Sequence, residues 1–125
     1  MIDHYFNQIE QILKTFADIS SYQITKKKYN NEQGFITCTI TFSNGFQLEI
    51  TEVVDTSIPN KLKYRYHFMD DADKIIFRYD NAPHHKELTT FPHHKHTGTT
   101  VLESPERSLV DVLVEISKLI HNERK

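Results

Sequence analysis

The sequence says Pro-His-His-Lys twice, at 83–86 and at 92–95, and adds a histidine at 96. Five of the chain's eight histidines therefore fall between positions 84 and 96. Three chemistries compete for such a segment. As metal ligands, His84, His85, His93, His94 and His96 supply enough imidazole for zinc or nickel. They lack the fixed helical spacing of His-Glu-x-x-His, and no cysteine partner accompanies them. As acid–base groups, imidazoles titrate near neutrality and can cleave a phosphodiester: one accepts the 2′-hydroxyl proton and another protonates the leaving oxygen. As a plain polar loop they do neither. For a single histidine the plain reading carries more weight; for five together it does not.

Arginines strengthen the acid–base reading. Leu62, Tyr64, Tyr66 and Phe68 alternate with Lys63, Arg65 and His67, and Ile75, Phe77 and Tyr79 alternate with Ile76, Arg78 and Asp80. Both stretches read as strands with one polar face. A four-residue turn at 70–73 predicts Met69 opposite Lys74, His67 opposite Ile76, Arg65 opposite Arg78 and Lys63 opposite Asp80. Like charges facing each other across a strand pair are unfavourable. An anion would relieve the two arginines, either Glu49 or Thr51 from a neighbouring strand or a phosphate from outside, whose oxygens match the guanidinium fork. His67 sits mid-strand on the same face, where it reaches the same pocket or is satisfied by a backbone carbonyl.

These groups need a frame. Ile2, Tyr5, Phe6, Ile9, Ile12, Leu13 and Phe16 recur at helical spacing, so residues 2–16 predict an amphipathic helix. A second helix is predicted from Ser104 as N-cap and Pro105 in the first helical position, with Leu109, Val112, Leu113, Ile116 and Ile120 as its apolar stripe. Between them the period is two. Ile36, Cys38, Ile40 and Phe42 form one inward face, and Phe46, Leu48 and Ile50 the next. A three-residue loop, Ser43-Asn44-Gly45, matches those faces by setting Cys38 opposite Ile50. Residues 21–30, with three lysines, suit an edge strand. The expected architecture is α+β: an N-terminal helix, a five-stranded antiparallel meander, a long His-rich loop and a C-terminal helix. It makes two layers, with both helices on one sheet face and residues 1–125 as a single domain. A chain of this length holds one core, and its charge of −2 does not advertise a nucleic-acid binder. Lysines at 26–28 and the run 61–65 nevertheless allow a cationic face. No apolar run approaches the ~18–20 residues of a membrane span. Cys38 is the one cysteine, so disulfides and Cys-x-x-Cys sites are excluded, and a cytoplasmic location is expected.

The run from Tyr64 to His96, containing Y-R-Y-H, F-R-Y-D-N-A-P-H-H and F-P-H-H-K-H, followed by "SPERSLVDVLVEI", resembles the TumE family of small prokaryotic toxins. The resemblance implies a toxin of a toxin–antitoxin module, with a small winged-helix DNA-binding protein as its antitoxin. The matched positions coincide with the polar cluster. Candidates for proton transfer are His67, Asp80, His84, His85, His93, His94 and His96; candidates for substrate contact are Lys63, Arg65, Arg78, Tyr79, Asn81 and Lys95. RNA is the expected target of a type II toxin of this kind, cleaved without metal or other cofactor and with no membrane involved. A non-catalytic binding module using the same face and a metal-dependent hydrolase remain open alternatives.

Overall fold

Helical spacing of apolar side chains in the first turns gives α1 (Ile2–Thr15), which buries Ile2, Phe6, Ile9 and Leu13. The computed structural model describes residues 1–123. Beyond α1 the chain alternates with period two through β1 (Ile19–Lys28), β2 (Gln33–Phe42), β3 (Gln47–Asp55), β4 (Lys63–Met69) and β5 (Ile75–Asp80). Two short strands follow, β6 (His94–Thr97) and β7 (Thr100–Glu103), before α2 (Leu109–Glu123). All are antiparallel in one sheet whose spatial order is the chain order, β1 to β7. The α+β class holds, but the five-stranded meander does not: the sheet has seven strands. The segment expected to be a long loop folds back at His94 and pairs with β5. Strands of four residues, one of them carrying two histidines and a lysine, leave no hydrophobic alternation to read.

Both helices cover one face. Tyr5 of α1 and Tyr66 of β4 both donate to the carboxylate of Glu52, which is buried. Burial and that carboxylate push both phenols well above their ordinary range. On the other side of the layer, Tyr79 of β5 donates to Glu115 of α2 (2.5 Å) and Lys95 of β6 pairs with the same carboxylate (2.7 Å). Side chains of α1, α2 and the inward strand positions make a single apolar cluster. The α1 helix rests on β2 at Gly34, where a Cβ would lie 2.7 Å from Ile2 Cγ1 and from Phe6 Cζ, and 3.0 Å from the Lys27 carbonyl. Gly34→Ala is therefore expected to cost about 1–3 kcal/mol through overpacking. A urea titration would show it as a lower midpoint at unchanged slope.

The β2–β3 hairpin closes as expected. Phe42 and Phe46 flank Ser43-Asn44-Gly45, Gly45 is left-handed (φ +89), and Cys38 lies opposite Ile50. The β4–β5 hairpin differs from its expected register. Arg65 faces Asp80, not Arg78; His67 faces Arg78, not Ile76; and Met69 faces Ile75. Asp70 causes the shift, because its side chain accepts the Ala72 and Lys74 amides and widens the turn, while Asp73 takes a left-handed φ of 62°. A bulge beside Phe68 and Met69 absorbs the remaining offset. The like-charge pair is thus replaced by opposite charges. The C-terminal helix also begins later than Ser104. Ser108 and Asp111 form a reciprocal cap, Asp111 N–H to Ser108 Oγ and Ser108 N–H to Asp111 Oδ2, both 3.1 Å. Ser104 is buried, and its amide donates to Thr90 Oγ1.

Candidate functional site

On the sheet face away from the helices, two rows of polar side chains run across β4, β5 and β6. One row is His67, Arg78 and His96, each opposite the next in register. The other is Arg65, Asp80 and His94. Directly opposed residues in an antiparallel pair hold their Cβ atoms about 4.5–5.5 Å apart. Arg78 therefore stands with an imidazole on each side.

Asp80 is the hub. It is buried, and its Oδ1 accepts His94 Nε2 at 2.8 Å and the Ala82 amide at 3.0 Å. Its Oδ2 accepts Arg78 Nε at 3.0 Å and lies 3.7 Å from His96 Nε2. His94 is 1% exposed, and its Nδ1 faces the Pro92 carbonyl at 2.9 Å. Both of its ring nitrogens thus face acceptors. Arg78 spends Nε on Asp80, and its side chain is 30% exposed.

His67 and His96 are held toward the neutral form by their surroundings. Burial is the larger cause for His67, followed by Arg65 and Arg78, and these outweigh Glu49, which faces it from β3 and works in the opposite direction. Its Nδ1 is buried and has no hydrogen-bond partner. For His96, burial and then Arg78 lower the pKa, while Asp80 works in the opposite direction.

His85 completes the cluster from the loop before β6. Its backbone is left-handed (φ 61), which turns the chain so that its ring meets those of His94 and His96, at centroid distances of 5.3 and 5.9 Å. The His94 and His96 rings are 4.8 Å apart. The side chains of His85, His94 and His96 each present one nitrogen within 4.8 Å of the others, so these three could hold a metal ion.

Several candidates lie elsewhere. His93 turns to the helix side, where it stacks on Tyr64 and shares a 2.9 Å hydrogen bond with that hydroxyl. Lys95 and Tyr79 also point into the helix layer, tied through Glu115. Asn81 is a backbone clamp: its Oδ1 accepts the Tyr64 amide and its Nδ2 donates to Leu62. His84 and Lys63 are exposed, the first in the loop before β6 and the second at the start of β4. The sequence reading leaves out Glu87, whose carboxylate lies 3.4 Å from His85 Nδ1. Its signal was only its place in the histidine segment.

The sequence model of the family described as Toxin TumE matches residues 9–120. No curated protein and no solved structure shows significant similarity to the chain. Among the described residues, no helix is long and apolar enough to cross a membrane.

Proposed function

The chain belongs to the TumE family of toxins, and we propose that it carries out that role by cleaving RNA through acid–base chemistry, with no metal ion in the reaction. Family membership gives the toxin role and implies an antitoxin partner. The RNA target, a winged-helix DNA-binding antitoxin, a type II module and a cytoplasmic site of action belong to the proposal. The observation that carries it is the lateral row in which Arg78 stands between His67 and His96.

That row has the parts a transesterification of RNA requires. Arg78, with Arg65 one row away, would hold the non-bridging phosphate oxygens and stabilise the charge that grows on them. His67 faces Arg78 on one side and Glu49 on the other, and burial with Arg65 and Arg78 favours its neutral form. With Nδ1 buried, its Nε2 would be the base that takes the 2′-hydroxyl proton. His96 lies 3.7 Å from Asp80 Oδ2, which opposes the lowering of its pKa by burial and Arg78, and in its protonated fraction it would deliver a proton to the departing 5′-oxygen. The 2′-oxygen forms a bond to phosphorus as the bond to the 5′-oxygen breaks. The products are a 2′,3′-cyclic phosphate and a 5′-hydroxyl. Asp80 and His94 would fix the position of Arg78 and of the β6 backbone without touching substrate.

Incubation of the intact protein with RNA in the presence of a chelator tests the reading. Fragments bearing cyclic phosphate ends are expected, and DNA of the same sequence, lacking the 2′-hydroxyl, should stay whole. Cleavage that disappears with the chelator would favour a metal-dependent hydrolase. Arg65→Ala and Arg78→Ala should each weaken RNA binding at low salt, by an amount that shrinks as salt rises, because screening already erodes a phosphate contact. A loss independent of salt would place both arginines outside the phosphate contact.

A further inference from the structure

The same face has a second use in its three converging imidazoles. We propose that His85, His94 and His96 form a binding site for a divalent transition-metal ion of the zinc type.

The fold supplies what the sequence spacing lacked. His94 and His96 alternate on one short strand, so both rings project from the same side of β6, and the left-handed turn at His85 brings the third ring over them. A tetrahedral zinc ion with bonds of about 2.0–2.1 Å to nitrogen needs its donors roughly 3.4 Å apart. The present spread of at most 4.8 Å closes to that with an inward movement of about 1 Å by ring rotation. His85 is in the loop and can supply the movement.

Outer partners are already in place. Ligating histidines commonly donate their second ring N–H to a carbonyl or carboxylate, which fixes the tautomer and the ring plane. His94 has the Pro92 carbonyl on Nδ1, so Nε2, which now donates to Asp80, is the atom that would give up its proton and ligate. His85 has Glu87 against its Nδ1. Asp80, 2.8 Å from His94 Nε2, offers an oxygen for the fourth position. Its negative charge also offsets Arg78, the nearest cation. Imidazole nitrogen with one carboxylate suits zinc, nickel or copper, and does not suit magnesium or calcium, which take oxygen ligands.

His96 would then serve two masters. In the proposed ribonuclease it delivers a proton, and in the metal-bound form its ring is coordinated. Metal occupancy should therefore silence RNA cleavage; this consequence rests on the proposed reaction, whereas the metal site itself does not.

The test uses the full chain, stripped of metal and titrated with Zn²⁺ against a chromophoric chelator. One equivalent should bind. His85→Ala and His96→Gln should each weaken it at least about tenfold, the lower end of what loss of even an outer partner costs. His84→Ala, next to the site but exposed, should bind as the parent does. Co²⁺ should give the visible absorption of a four-coordinate ion, lost in His85→Ala. Absence of one-to-one zinc binding, or equal binding by all variants with the parent's circular dichroism, overturns the site. A parallel RNA assay separates the two readings. One equivalent of zinc should suppress cleavage, and stimulation would overturn the silencing. If RNA stays intact with and without zinc, the ribonuclease reading fails while the binding titration still decides the metal site.

Discussion

His67→Ala and His96→Ala are each expected to slow RNA cleavage by about 10²–10⁴-fold while leaving RNA affinity within a few-fold, the usual signature of a lost proton-transfer group. The expectation follows from their positions on either side of Arg78, since the guanidinium still holds phosphate when an imidazole is removed. pH adds an independent check. Burial, Arg65 and Arg78 all lower the His67 pKa, so its neutral form persists below the ordinary imidazole value of about 6.5. The limb of the kcat/KM profile where the base becomes protonated should fall below that value. Arg65→Gln removes one of the lowering charges and should move the limb upward. If both histidine variants instead lose affinity together with growth arrest, and the intact protein cuts no RNA, the face is a binding surface.

Asp80→Ala should be the most destabilising single change at the site, by about 1–3 kcal/mol, the cost of leaving the buried His94 Nε2 without its acceptor. Asp80 accepts from His94, Arg78 and the Ala82 amide, and none of these has a substitute acceptor in the hydrogen bonds that surround it. Arg78 is partly exposed and can turn toward water, but the His94 side chain is 2% exposed and cannot. Asp80→Asn keeps the shape and one acceptor oxygen, so it should cost less. Denaturant midpoints for the two variants measure the difference. Equal midpoints for Asp80→Ala and the parent would show that His94 finds another partner.

The first helix and strands β2 to β5 were legible because their apolar residues repeat with one clear period, whereas β1, rich in lysine, lies at Ile19–Lys28 and not at 21–30, and α2 starts later than its apolar stripe's expected cap. Ile36, Cys38, Ile40 and Phe42 all point inward, and the three-residue turn after Phe42 followed from matching faces. The shift at 70–74 was not legible, because it depends on Asp70 capping two amides rather than on the strands it joins. The four residues of β6 were hidden for another reason. Their pairing to β5 is secured by Asp80, His94 and the backbone, and polar positions carry no hydrophobic signature. The location of the candidate site was nonetheless readable from composition. What the residue types did not reveal was the division of labour within "HHKH", where His93 and Lys95 face the helices and His94 and His96 the open face.

A sheet whose spatial order equals its chain order also shapes how the protein folds. Every strand pairs with its immediate neighbour in sequence, most of them across short turns and β5 with β6 across residues 81–93. Low sequence separation between contacting residues favours rapid folding, because little chain entropy is lost before a contact forms. The exception is the helical layer. Ser117 of α2 bonds Asp18 across 99 residues, and α2 docks beside a helix from the opposite end of the chain. Zipping of the β4–β5 hairpin can thus bring His67 and Arg78 together early, with His96 added once residues 81–93 close. The apolar underside of the same sheet stays uncovered until both chain ends arrive. A nascent chain exposes that underside until its last helix is synthesised, so the cell meets an assembled open face on a half-covered sheet.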